Sequence, residues 1–314
     1  MKKLLSLIST ISASVLLSAC VSTSSVTSAE KVEYFADNGL MNPLAVVQHP
    51  AGIHKDGITY VSYQGPLEDP YVAAYNHKDD TWSGPYKAGI SELGKDLTQP
   101  KNIDNHGKPT MLIDKLGYIH IFFGGHGGDE RHGKNTLGNG HYAANKHAVS
   151  KRPYDITEWE ELDTIEPFGT YNQAIKMDNG DIYLFYRHGA HRSDWVYQKS
   201  TDNGRTFDKP VSILKTKKRT DIEATDSWYI YISKGQNDDI IISYDYHVCW
   251  NMKATKRGHT TERHDAYYMV FDTKKDTWRN VQGDALTIPL TREVADEKTL
   301  VARTGGNGFW TFNG

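Results

Sequence analysis

The sequence predicts an all-β fold assembled from repeated four-stranded units, and three observations carry that expectation. Stretches of one shape recur: Gly57-Ile-Thr-Tyr-Val-Ser-Tyr63, Gly117-Tyr-Ile-His-Ile-Phe-Phe123, Gly180-Asp-Ile-Tyr-Leu-Phe-Tyr186 and Asp238-Asp-Ile-Ile-Ile-Ser-Tyr244. Their starts fall about 60 residues apart, a period that marks repeated supersecondary units. Each is preceded by a short apolar strand and a polar turn, and followed by a strand and a tight turn ending in an aromatic: Trp82, Trp159, Phe207 and Trp278. Composition agrees, with 19 Tyr, 7 Trp and 27 Gly, as expected of short strands joined by tight turns.

Taken in order, the chain opens on a segment outside this pattern. Lys2 and Lys3 precede an apolar run from Leu4 to Leu17, closed by Leu17-Ser18-Ala19-Cys20. This reads as a secretory signal over 1–20 whose end resembles a bacterial lipobox, with Cys20 as the lipidated residue. The run is short for a membrane span. Residues 21–30 then form a tether, and 31–314 form the folded domain. The expected location is the cell surface or outer membrane through the lipid anchor, otherwise the periplasm or the medium.

With Cys20 assigned to lipid, Cys249 is the other cysteine, so no intramolecular disulfide is expected in an oxidising compartment. Near balance between 36 basic and 39 acidic residues argues against a general nucleic-acid binder. A monomer without an organic cofactor is expected.

The third tight turn, Ser200-Thr-Asp-Asn-Gly-Arg-Thr-Phe207, resembles the Asp-box of sialidase-type β-propellers. Its degenerate recurrence in every repeat predicts a β-propeller of four-stranded blades. The count does not close: the chain holds four repeats and the start of a fifth, Gly306-Asn-Gly-Phe-Trp-Thr-Phe312. Its end at Gly314, inside an expected strand, reads as a C-terminal truncation.

The residues 171–187 read as a hairpin turning at Asp178-Asn179-Gly180, which brings Tyr171 and Arg187 to one rim. Tyr229 stands nine residues before Asp238, as Tyr171 does before Gly180, and His106 stands eleven before Gly117. His126 follows the second repeated strand in the loop Gly124-Gly-His-Gly-Gly128, expected to be flexible. Five side chains therefore converge on one face: His106, His126, Tyr171, Arg187 and Tyr229. No pair of carboxylates joins them, so glycoside hydrolysis fits poorly. A sialidase would need more arginines. β-Elimination on a uronate polymer fits better: Arg187 neutralises the carboxylate, a His takes the C5 proton, and a Tyr protonates the leaving oxygen.

Repeats, the His106/His126 pair, Tyr171 with Arg187, and Tyr229 together resemble the ulvan lyases of polysaccharide lyase family 25, with family 24 more distant. The resemblance implies cleavage of ulvan, a sulfated rhamnose–uronic acid polymer, to an unsaturated uronate. His106 and Tyr171 are then base and acid, with their order open, and Tyr171 fills both roles on one epimer. Arg187, His126 and Tyr229 bind substrate. The family's propeller is expected to have seven blades, more than this chain holds. The rival readings are a sialidase-like hydrolase and a glycan-binding surface lipoprotein.

His247 and Cys249 share one side of a strand, and His259 and His264 follow at ligand spacing. One Cys and three His make a closed, structural zinc set, and the resemblance includes such a zinc. The basic run Lys215-Thr-Lys-Lys-Arg219 is expected near the active face, as a solvated loop or a steering element for a polyanion.

Overall fold

A computed structural model describes residues 35–40, 47–95, 103–259 and 261–305. The signal, Cys20, the tether and the fifth repeat start lie outside the described residues. Four antiparallel sheets follow one another along the chain. The first holds β1 (Gly52–Lys55), β2 (Ile58–Gln64), β3 (Pro70–Asn76) and β4 (Thr81–Lys87). The second holds β5 (Thr110–Ile113), β6 (Ile119–His126), β7 (Tyr142–Ser150) and β8 (Trp159–Leu162). The third holds β9 (Thr170–Lys176), β10 (Ile182–Arg187), β11 (Trp195–Ser200) and β12 (Val211–Leu214).

The fourth sheet is larger. It contains β13 (Lys217–Lys218), β14 (Ala224–Lys234), β15 (Asp239–Trp250), β16 (Arg263–Asp272), β17 (Thr277–Arg279), β18 (Ala285–Leu286) and β19 (Leu300–Ala302), seven strands in all. Two short helices accompany it, α1 (Met252–Thr255) and α2 (Arg292–Lys298).

The four repeated stretches become β2, β6, β10 and β15, each second or third in its sheet. The all-β and repeat expectations hold; the propeller does not. Among the described residues no pairing closes the sheets into a ring, and the fourth is an open seven-stranded sheet rather than a four-stranded blade. The reason lies in β14 and β16, 11 and 10 residues long. Strands of that length offer pairing edges beyond one repeat: β13 adds to β14, and β19 adds to β16.

Local chemistry explains the turns. Asp56 and Gly57 join β1 to β2 with positive φ at both positions, the two-residue hairpin geometry that glycine favours. The Asp-box is self-bonded: Asp202 accepts from Ser200 Oγ (2.8 Å), from the Thr206 amide (2.9 Å) and from Thr206 Oγ1 (2.6 Å). Phe207 then packs edge-on against Phe122. The largest core cluster lies between the third and fourth sheets, around Trp195, Trp228, Tyr267 and Phe271.

Consecutive sheets are joined through their first strands. Gln173 in β9 donates to the Ile230 carbonyl and accepts from the Ile232 amide of β14. Thr110 in β5 donates to the Asn172 carbonyl.

One polar chain is buried inside this apolar frame. His120 Nδ1 meets His147 Nε2 at 2.9 Å, and His147 Nδ1 meets Thr164 Oγ1 at 2.8 Å. Burial holds both imidazoles below their ordinary pKa, opposed at His120 by Asp114. A folded-state pKa below the unfolded value, about 6.5, means the unfolded chain binds more protons as pH falls. Stability is then present above about pH 6.5 and declines below it, by up to about 1.4 kcal/mol per pH unit for each imidazole. Thermal unfolding followed across about pH 5–8 is expected to show this slope and His147→Phe to flatten it. An unchanged slope in the variant would contradict the assignment.

Candidate active site

At one end of the sheets lies a cleft of about 740 Å³, lined by residues that include His106, His126, Tyr171 and Tyr229. Arg187 lies behind Tyr171 and Tyr229. The five residues expected on one rim are therefore brought together.

The hairpin explains Tyr171 and Arg187. Phe185 pairs with Gln173, but Arg187 pairs with Thr170, so Tyr186 alone faces Tyr171 and Asn172. This bulge puts Tyr171 at φ 64°, an uncommon conformation for a bulky residue that re-aims its side chain. Arg187 is fully buried. Its Cζ lies 4.9 Å from the Tyr171 ring centre and 5.4 Å from that of Tyr229. Nη1 and Nη2 have no hydrogen-bond partner among the described residues, and Nε reaches only the Gly189 carbonyl at 3.5 Å. A buried cation without a counter-charge is costly. The cleft therefore carries an unmet demand for an anion.

His106 stands on a single 3₁₀ turn, Asn105–Gly107, rather than at a strand entry. Gln48 holds this turn by donating to the carbonyls of Asn105 and His106. Asp104, which caps the turn, organises both histidines. Its carboxylate meets His106 Nδ1 at 2.5 Å and His126 Nδ1 at 2.6 Å, and accepts from the Tyr142 hydroxyl. The two imidazoles stack at 3.8 Å, and His106 lies 5.4 Å from Tyr171 between ring centres.

Burial alone would raise the Asp104 pKa, but the two histidines outweigh it and hold the carboxyl well below the usual range. Burial lowers the His126 pKa, with Asp104 opposing and His106 assisting. Desolvation, then Tyr229, raise the Tyr171 phenol well above its ordinary value, Arg187 opposing. Tyr171 is thus a protonated phenol at neutral pH. Asp104, His106 and His126 also form a candidate metal-binding group, their donor atoms all within 4.8 Å of one another.

The glycines around His126 are packed rather than flexible. A Cβ on Gly125 would lie 2.4 Å from the Gly169 carbonyl oxygen, and Gly127 donates its amide to that same oxygen. Close backbone approach explains why glycine stands there.

The expected zinc set is only partly assembled. His247 pairs with Arg263 across the sheet and His264 with Tyr246, so alternation points His264 to the opposite face. There it lies 3.0 Å from Asp265. His191, absent from the expected set, takes the place: its ring is 5.5 Å from His247 and 4.5 Å from His259. Cys249 is buried with a free thiol, and His191, Cys249 and His259 all line the cleft. Nδ1 of His191 and Nδ1 of His247 are buried without partners among the described residues. Burial, with Arg187 and neighbouring histidines assisting, drives the His191 pKa far down. Burial and Arg263 bring His247 to about 3.

The run 215–219 does not line the cleft. Lys215 pairs with Asp194, Lys217 with Glu293 and Arg219 with Asp221. The cleft's charge comes instead from Arg192, Lys253 and Arg263, and no Asp or Glu is among its described lining residues. Arg263 sits 3.7 Å from the Tyr229 ring centre. Asp104 and Tyr142 also escape the sequence reading. The pattern Asp-x-His at 104–106 was the available signal for the first; Tyr142 had none.

The buried guanidinium yields a direct test. Replacing it by a linear apolar chain, Arg187→Met, is expected to stabilise the fold by about 1–3 kcal/mol in urea unfolding. Destabilisation would mean that the cation is satisfied internally.

The family model described as "BNR repeat-containing family member" matches residues 58–308. An ulvan lyase of Pseudoalteromonas sp. (strain PLSV), described as of family PL25, is 70% identical over 286 residues, 90% of this chain and 58% of that protein. An ulvan lyase of Alteromonas sp. (strain LOR) is 66% identical over 311 residues, 96% of this chain and 64% of its own length. A solved PL25 ulvan lyase bound to -[GlcA(1-4)Rha3S]- superposes with a TM-score of 0.84 at 70% identity, covering 87% of this chain and 62% of that one. The chain thus spans about three fifths of the length of these relatives. The resemblance to ulvan lyases drawn from the sequence is borne out.

Proposed function

We propose, from the premise that the chain belongs to the BNR repeat-containing family, that it cleaves ulvan by β-elimination at the uronate. One observation carries the reading: the fully buried Arg187, with both terminal nitrogens unpartnered among the described residues, beneath Tyr171 and Tyr229. A uronate carboxylate is the planar anion a guanidinium binds best. Neutralising it acidifies the C5 proton α to that carboxylate.

The Asp104 contact supports one order of the roles that the sequence left open. With Nδ1 of His106 held to the carboxylate, Nε2 is left as the basic atom. His106 takes the C5 proton, the C4–C5 double bond forms, and the C4–O bond breaks. Tyr171, kept protonated by its surroundings, gives its proton to the departing oxygen. For the epimer that presents C5–H on the other face, Tyr171 fills both roles only as the phenolate, which its buried surroundings oppose. His126 and Tyr229 bind the substrate. The lack of a carboxylate pair in the described cleft lining weighs against a hydrolase.

Absorbance of the conjugated uronate, followed with purified protein and ulvan, tests this. Tyr171→Phe and His106→Ala are each expected to slow the rise by about 10²–10⁴-fold. A flat trace from the unsubstituted protein would sink the reading.

Zinc, in this proposal, is held by His191, His247, Cys249 and His259. The orphaned nitrogens of His191 and His247 and the buried thiol support the fit. A closed set of this kind supplies a cross-link and no reactive water, tying the segment after β15 to the third sheet. Elemental analysis is expected to find zinc lost in His191→Ala and retained in His264→Ala; the reverse would restore His264 to the set.

A further inference from the structure

At the end of the sheets opposite the cleft lies a second cavity, of about 560 Å³. The same hairpin helps to form it. Tyr171 faces the cleft, while Lys176 and Gly180, at the other end of β9 and its turn, line this cavity. Five residues of extended chain separate Tyr171 from Lys176, about 17 Å. The proposed elimination has no use for this cavity.

Its lining brings together one lysine from each sheet. Lys55 closes β1, Lys115 lies in the turn between β5 and β6, Lys176 closes β9 and Lys234 closes β14. Two of them are matched: Lys55 by Asp56 at 3.0 Å, and Lys234 by Asp178 at 2.5 Å and Asp238 at 2.8 Å. The other two are not. Lys176 Nζ donates to the main-chain carbonyl of Asp114 at 3.2 Å, and no ion pair forms to Lys115 or Lys176 among the described residues.

Asp114 and Asp178 also line the cavity, but neither is available to neutralise that pair. The Asp114 carboxylate accepts from the amides of Leu116 and Tyr118 and faces His120, while Asp178 holds Lys234. Among the lining residues four lysines meet two carboxylates. Burial, with Lys55 and Lys234 adding and Asp114 opposing, lowers the Lys176 pKa, as expected of an ammonium among its own kind.

An aromatic face completes the set. Tyr154 lines the cavity and is 44% exposed, unusual for a tyrosine lying over protein backbone. Its position depends on Gly117, where a Cβ would lie 2.5 Å from Tyr154 Cε2. The aliphatic stem of Lys115 is laid over the turn in the same way, with Cδ 3.1 Å from where a Gly180 Cβ would stand. The exposed ring and the Lys115 stem are thus both held by glycines at equivalent turns of neighbouring sheets.

From this we propose that the cavity is a second saccharide site, which takes a sulfate-bearing oligosaccharide by pairing Lys115 and Lys176 with a sulfate ester and stacking a sugar ring on Tyr154. The volume is that of an ordinary small-ligand pocket. A sulfate ester offers one negative charge and three acceptor oxygens, for which the two lining ammoniums without an ion pair are donors. The identity of the sugar rests on the ulvan reading; the anion site does not. The site gives the protein a hold on the polymer away from the cleft, raising the local concentration of cleavable chain.

The test uses the full chain as Tyr171→Phe, to prevent turnover, titrated calorimetrically with a short sulfated rhamnose–uronate oligosaccharide. Two sites per chain are expected. Adding Lys115→Gln and Lys176→Gln is expected to weaken one of them about tenfold, and Tyr154→Ala to weaken that same one. The solvent-facing Lys115→Gln alone is expected to weaken it in part, which guards against a folding defect in the double variant. With Tyr171 restored, Lys115→Gln/Lys176→Gln is expected to keep the initial cleavage rate on a short oligosaccharide. Identical isotherms with and without the lysines would overturn the proposal. So would a desulfated oligosaccharide occupying both sites, or inorganic sulfate alone displacing the sugar mole for mole. A flat absorbance trace beside an intact two-site isotherm would remove the lyase reading and leave this site standing.

Discussion

Arg187 carries its positive charge into the protein interior and finds no carboxylate there among the described residues. Everything around it is arranged to tolerate that charge rather than cancel it. Two phenol faces approach the guanidinium, and ring quadrupoles favour a cation without neutralising it. The bulge in β9 turns Tyr171 toward it, and β14 supplies Tyr229 from the next sheet. An internal counter-ion would be more stable and would leave nothing for an incoming anion. The site is held ready at the expense of the fold, as functional sites often are.

Asp104 performs the complementary task for the histidines. A single carboxylate engages Nδ1 of both rings, so one buried negative charge sets two orientations and leaves two Nε2 atoms for chemistry. Beyond this pair, histidine is used in two further ways. His120 and His147 bond to each other in the second sheet. His191 stands beside both His247 and His259, with Nδ1 of His191 and of His247 unpartnered among the described residues. Surroundings, not residue type, separate the three roles.

Much of the local structure was legible. The repeated strands, their terminal aromatics and the Tyr171–Arg187 hairpin follow from alternation and turn chemistry, which act over a few residues. Convergence of His106, His126, Tyr171, Arg187 and Tyr229 followed from repeat register, even though His106 proved to stand on a 3₁₀ turn. The errors share a cause. The propeller required the sheets to close on one another, and closure depends on contacts between distant strands; the long β14 and β16 recruit β13 and β19 instead. His264 was expected from spacing, whereas strand pairing turns it to the other face and leaves His191, from the loop between β10 and β11, beside His247.

The sequence by itself determined the elements: which stretches extend, where they turn, and which two residues a hairpin unites. Those are short-range properties, decided by side-chain periodicity and by the few residues that accept a turn. Tertiary structure alone decided that Asp104 would bridge two histidines, that both terminal nitrogens of Arg187 would be left without partners among the described residues, and that four lysines from four sheets would face one cavity. Each depends on distances between residues far apart in the chain. Electrostatics acts through space, and the space is made by packing.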